Sequence, residues 1–173
     1  MRKKFLTLTF LLIIILTGCE LSNNPTSKVE EQLSKYQMLD KDITISYTDL
    51  SNDVDMDNET KQRYEKLIKK QYQNLSYEIK EETIDGDTAV VVVQIEVVDY
   101  QKIIEKYDQT TYSKEEYHDK VLTDLEKATE KVTYTINFTT NKDEKGNWQV
   151  VPLTTIERQK LLGMNKQNEE AYT

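Results

Sequence analysis

Hydrophobic positions follow two different periods along this chain, and the switch between them outlines its elements. Val29, Leu33, Tyr36 and Met38 or Leu39 fall at helical spacing behind Ser27-Lys28-Val29-Glu30. That opening reads as a capping box, in which a Ser hydroxyl accepts a backbone N–H and a Glu reaches back, so a first helix is predicted near residues 28–40. Residues 42–50 pair Ile43 with Ile45 in a short, isolated stretch and read as a short helix or an irregular segment. A second helix is predicted from about residue 59 to 74, where Tyr64, Leu67, Ile68, Gln71 or Tyr72, and Leu75 form one stripe. Lys61, Glu65, Lys69 and Lys70 lie outside that stripe.

The period then changes to two. Tyr77 and Ile79 share one face of a strand over 76–84, and Asp85-Gly86-Asp87 is a hairpin signal. The return strand, 88–100, puts Ala89, Val91, Val93, Ile95 and Val97 on one face, with Val90, Val92, Gln94, Glu96 and Val98 on the other. A short helix over 101–111 and a helix from Ser113 to about Thr129 follow, the second opened by Ser113-Lys114-Glu115-Glu116. Val132, Tyr134, Ile136 and Phe138 alternate as a third strand, a charged turn spans 141–146, and Trp148 to Leu153 form a fourth. Thr154-Thr155-Ile156-Glu157 starts a last short helix that Gly163 ends, and residues 163–173 read as a polar tail. Strands gathered into hairpins and separated by helices predict an α+β domain over 28–162. Its antiparallel sheet of about four strands packs on N-terminal and intervening helices.

The N-terminus changes the picture. Met1-Arg2-Lys3-Lys4 precedes an apolar run from Phe5 to Leu16, too short for a bilayer core that needs about 20 residues, and this has the layout of a secretory signal. Leu16-Thr17-Gly18-Cys19 resembles a bacterial lipobox. The resemblance implies that residues 1–18 are a lipoprotein signal peptide and that Cys19 carries a diacylglycerol. It also implies that residues 19–27 tether the domain to the outer side of a cell membrane. Cys19 is the only cysteine, so the chain forms no internal disulfide. The first 18 residues hold three basic and no acidic side chains. The remainder therefore carries 20 basic against 31 acidic ones, a formal charge of −11. Such a balance excludes nucleic acid as an electrostatic partner, because phosphate affinity comes from basic groups.

Asp85-Gly86-Asp87-Thr88-Ala89-Val90-Val91, taken together with Glu144-Lys145-Gly146-Asn147-Trp148-Gln149-Val150, carries a second resemblance. The stretch of about 28–162 resembles small lipoproteins of the nuclear transport factor 2-like superfamily, whose fold is also described as cystatin-like. The resemblance implies a strongly curved sheet wrapped around helices as a cone, with a cavity at the open end. It implies no chemistry, because that fold hosts enzymes and plain binding modules alike.

Candidate chemistry is sparse. Asp53, Asp55 and Asp57 place acids as a calcium loop does at its first, third and fifth positions. However, the sixth position is Asn58 rather than Gly, and the twelfth is Tyr64 rather than Glu. A solvated loop with Asp57 or Asn58 capping the next helix is the better reading. His118, the single histidine, is expected on a solvent-exposed helix face, with Asp119 pointing elsewhere because adjacent helical residues diverge. One His also excludes multi-His zinc sites. The 11 Tyr residues mostly occupy apolar positions and read as packing. If a cavity exists, the facing row Tyr134, Ile136, Phe138 and Trp148 is expected to line it. No cofactor motif is present. These features predict a non-catalytic, membrane-anchored domain that binds a small molecule or an envelope protein. The alternatives are a small lyase or isomerase using a carboxylate in the cone cavity, and a structural subunit of a cell-envelope assembly.

Overall fold

Asn24, rather than Ser27, opens the first helix. The computed structural model describes residues 23–165; Cys19 and the signal-like segment lie outside them, as do residues 166–173. Asn24 is extended and its side-chain oxygen accepts the Ser27 N–H at 2.8 Å. Pro25 follows in the first turn, where a missing N–H costs nothing. Helix α1 therefore spans Pro25–Met38, starting three residues before the predicted boundary and absorbing Ser27. A single 3-10 turn, Tyr47–Asp49, occupies the ambiguous stretch. Helix α2, Asn58–Gln73, is capped by Asp57, whose Oδ1 accepts the Thr60 N–H at 2.9 Å.

Strands β1 (Ser76–Asp85) and β2 (Thr88–Val98) form the predicted hairpin, with Gly86 in the left-handed region at φ 59°. Helix α3, Tyr100–Ile104, is shorter than expected. The Asp108 carboxylate accepts the Thr110 N–H at 2.8 Å, and this local turn outcompetes a further helical turn. Helix α4, Lys114–Lys127, precedes β3 (Lys131–Lys142), β4 (Trp148–Val150) and α5 (Thr155–Leu161). Strand β4 ends before Pro152, which has no N–H for a ladder; the last bond to β3 runs from Val151 N to Thr139 O at 2.9 Å.

The sheet order is β1-β2-β3-β4, antiparallel throughout. Among the described residues, five helices and one curved, unclosed sheet make this an α+β fold, an arrangement consistent with the cystatin-like fold. Val91, Val93 and Ile95 pair with Phe138, Ile136 and Tyr134, so the inner faces of β2 and β3 form one apolar surface. Helix α1 lies across it and touches all four strands, while α2 packs on α1 and α4. Val29, Leu33, Ile68, Val91, Val93, Ile95, Leu122, Leu125, Ile136 and Phe138 have no exposed surface. Each large side chain of this kind contributes roughly 1.5–3 kcal/mol by leaving water.

A polar joint closes the end of the core away from the hairpin turns. Gln71, buried in the α2 stripe, donates through Nε2 to Val98 O (2.7 Å) and Leu162 O (3.0 Å), and its Oε1 accepts the Val98 N–H at 3.2 Å. Gly163 sits against this joint at φ 68°, and its carbonyl accepts the Gln101 N–H at 2.8 Å. Residues 163–165 thus belong to the packed unit rather than to a tail.

Candidate functional site

The predicted cavity row lies under helix α1. Tyr134, Ile136 and Phe138 are packed into the core, and the Tyr134 hydroxyl donates to Asn165 O at 2.8 Å. Trp148 is buried at the other end of the same face, with Lys142 Nζ 5.0 Å from its ring centroid. None of the four lines the clefts described below. Side chains of α1 cover the face that a cone would leave open.

A cleft of about 600 Å³ lies on the flank instead. Gln32 and Tyr36 of α1, Tyr72 of α2, the 42–49 segment, the chain from Val150 to Leu153 and Arg158 of α5 surround it. Its position follows from local structure: β4 stops at Val150, and after the bond from Val151 N to Thr139 O the chain leaves the sheet. The Tyr36 and Tyr72 rings meet with centroids 4.9 Å apart and planes tilted by 56°. Both are nearly sealed, and burial pushes both phenols above the ordinary tyrosine range. Asp49 is half-buried, and burial raises its carboxyl while the nearby Arg158 guanidinium pulls it back. Arg158 itself has no carboxylate within ion-pair distance among the described residues, its one side-chain bond being to Thr155 Oγ1 at 3.5 Å. The cleft thus offers a guanidinium that makes no close ion pair among the described residues, a carboxyl that ionises reluctantly, and the hydroxyls of Ser46 and Thr48, which lie 2.7 Å apart in a bond to each other. Such a site can orient a small polar ligand carrying an anionic group. The 42–49 segment, where only Ile43 and Ile45 alternate in a short isolated stretch, gave no sign that it would form a wall.

His118 corrects the expected exposed position. It is buried, with 5 % of its surface accessible, because α4 turns Tyr117, His118, Val121 and Leu122 inward together. Tyr64 Oη lies 2.9 Å from His118 Nδ1, and His118 Nε2 lies 3.1 Å from Asp53 Oδ2. Lys114 Nζ holds the other oxygen of Asp53 at 2.6 Å. Lys114 first, and the His118 bond after it, lower the Asp53 carboxyl to about 2. Asp53 is therefore ionised at neutral pH and accepts the Nε2–H. In the neutral ring Nδ1 is then left to accept the Tyr64 hydroxyl proton.

A Tyr–His–Asp chain has the connectivity of a proton relay, yet its Tyr end is sealed: Tyr64 is only 1 % exposed. A hydroxyl with no access cannot attack or deprotonate a substrate. The network is a brace that ties the 51–57 loop to α2 and α4. Asp119, as expected, points away from it and pairs with Arg63 at 3.3 Å; Arg63 also binds Glu126 at 2.9 Å. A smaller cleft of about 380 Å³ borders the brace on its His118 side; His118, Arg63, Lys114 and several carboxylates line it, while Tyr64 does not.

The Asp53 pKa makes this brace acid-sensitive. Its folded value is depressed below the ordinary value of 3.8, so its stabilising effect is complete above pH 4 and disappears as pH falls toward 2. In urea titrations at pH 5 and pH 2.5, the wild type is expected to lose more stability than Asp53→Asn. Equal losses would show that the carboxylate contributes nothing through this pair.

The partial calcium pattern does not assemble. Asp53 turns to His118 and Lys114, and Asp57 caps α2. No group of three or more His, Cys, Asp and Glu among the described residues is arranged to hold a metal ion. No helix among them is long and apolar enough to cross a membrane. No protein-family model, curated protein or solved structure matches this chain.

Proposed function

We propose that this chain is an extracytoplasmic lipoprotein, anchored through Cys19, whose domain binds a small polar ligand in the flank cleft without chemically changing it. The observation that carries the reading is the cleft itself: about 600 Å³, with Arg158 at its edge in no close ion pair among the described residues and Ser46 and Thr48 on its wall. The lipobox-like Leu16-Thr17-Gly18-Cys19 supplies the address. Two acyl chains anchor stably where one is marginal, since each buried methylene contributes about 0.8 kcal/mol.

A second reading, a lyase or isomerase, is favoured by Asp49, whose raised carboxyl could accept a proton from a bound carbon acid. No histidine accompanies it, since the only one is committed to the brace. Native mass spectrometry of residues 20–173, purified gently from the producing cell type, tests both readings. The expected result is an adduct of defined mass that Arg158→Ala weakens and Asp49→Asn leaves chemically unchanged. An adduct that differs between wild type and Asp49→Asn, as substrate from product, would favour the enzyme. A clean protein that crosslinks to an envelope partner would replace both readings with an assembly subunit.

A further inference from the structure

We infer that the end of the sheet formed by the two hairpin turns faces the bilayer and rests at headgroup level without inserting. The inference rests on the anchoring role proposed for Cys19 and adds a defined orientation to it. Asn23 comes four residues after Cys19, a distance that extended chain covers with at most about 14 Å. Where that short connection meets the domain is fixed. The Asn23 side chain accepts the Trp148 N–H at 2.9 Å and donates to Gly146 O at 3.2 Å. Three residues on, Thr26 donates to Glu82 of β1 from its backbone N (3.0 Å) and from its hydroxyl (2.6 Å). The two turns are also locked to each other, Lys142 N to Asp87 O at 2.9 Å and Lys142 Nζ to Asp87 Oδ1 at 3.0 Å.

The root of the anchor is thus bound into the β3–β4 turn and, at Thr26, to strand β1 just before its turn, so it cannot swing freely around the domain. From that root the strands run away: the ten residues of β1 extend about 30 Å to Ser76 at the other end. Helix α1 starts at the same root, and Gln32 and Tyr36 lie eight and twelve residues past Asn24, about 12–18 Å along its axis. A lipid embedded in the membrane therefore brings the turns to the surface and leaves the cleft on the flank above the headgroups, open to solutes outside.

Charge decides how closely the turns approach. They carry Asp85, Asp87, Asp143 and Glu144 against Lys142 and Lys145, and Ile84, 52 % exposed, is the one large exposed apolar side chain nearby among the described residues. Dehydrating these carboxylates in hydrocarbon would cost far more than Ile84 could return, so the end stays in the polar layer.

Cys19 is the only cysteine, and lipidation uses its thiol, so a single engineered cysteine can be labelled uniquely in the full lipidated chain. Glu144→Cys at the turn and Lys106→Cys beyond α3 would each carry a fluorophore on chains reconstituted into phosphatidylcholine vesicles. Nitroxide on the lipid headgroup is expected to quench the label at 144 several-fold more than the label at 106, and nitroxide deep in the acyl chain to quench neither. Equal headgroup quenching on vesicle-bound chains would overturn the orientation, and acyl-chain quenching at 144 would overturn the non-inserted contact. Chains that carry Cys19 yet do not sediment with vesicles, behaving like Cys19→Ala controls, would overturn the anchoring itself.

Discussion

Replacing Gly163 with alanine is expected to lower the stability of the domain by about 3–5 kcal/mol, a large part of the 5–15 kcal/mol that holds a typical domain folded. Two effects add. At φ 68° a side chain costs about 1–2 kcal/mol, because Cβ crowds the following carbonyl. A Cβ at this position would also overlap the Val98 carbonyl oxygen and crowd Gln71 Nε2. Relief requires moving the 162–164 segment or the end of β2, and either movement breaks bonds that Gln71 makes to Val98 and Leu162. Each buried polar group left unpaired costs about 1–3 kcal/mol. Urea denaturation should show a large fall in midpoint with little change in slope. Gly86→Ala is the control, since Gly86 has φ 59° but no atom within 4 Å of the added Cβ. Its cost should stop at the conformational part, about 1–2 kcal/mol. Equal losses at the two glycines would show that the Gln71 joint is not what makes Gly163 costly to replace.

The second large effect is expected at His118. Alanine there empties a site packed between Tyr64 and Tyr117, with ring centroids at 5.7 and 5.2 Å, and leaves the Tyr64 hydroxyl and the Asp53 carboxylate without their partner. Loss of packing together with an unpaired buried hydroxyl should cost about 2–4 kcal/mol. Tyr64→Phe, which removes only the hydroxyl, should cost about 1–2 kcal/mol by leaving Nδ1 unpaired. An exposed histidine would instead move stability by no more than about 0.5 kcal/mol. The same variants separate a brace from a relay. Under the proposed function, His118→Ala domains that remain folded should keep the mass adduct found on the wild type. Loss of the adduct in a folded His118→Ala domain would place His118 in ligand binding.

The contrast between Gly163 and His118 shows how far the chain could be read without its fold. Alternation along β2 and β3 identified their inner faces residue by residue, because a strand places every second side chain on one side whatever it packs against. The stripe of α2 and the Asp85-Gly86 hairpin were equally legible, since both are set by neighbours within a few residues. Boundaries were less so: Asn24 displaced Ser27 as the cap of α1, and Asp108 stopped α3 early, in each case by a local side-chain bond that competes with the predicted one. Gly163 was read correctly as the end of a helix, but nothing nearby in the sequence reveals that Val98, 65 residues earlier, presses against it.

The candidate site belonged almost wholly to tertiary structure. Tyr134, Ile136, Phe138 and Trp148 lie on one face of the sheet, yet whether that face lines a cavity depends on where α1 lies, and α1 packs across it. The cleft is assembled from Tyr36, Asp49, Tyr72 and Arg158, which come from four segments without a shared pattern. His118 looked exposed because Lys114, Glu115, Glu116, Asp119 and Lys120 surround it in sequence. It is buried because Tyr64 and Asp53, from 54 and 65 residues away, supply the two hydrogen bonds that make burying an imidazole affordable. What the sequence by itself determined are the periodic faces, the hairpins, the α+β class and the acidic balance of the chain, all of them properties of neighbouring residues. Which faces meet, which clefts stay open and which polar groups find partners were decided only in the folded chain, because those contacts join segments whose separation in sequence carries no local signal.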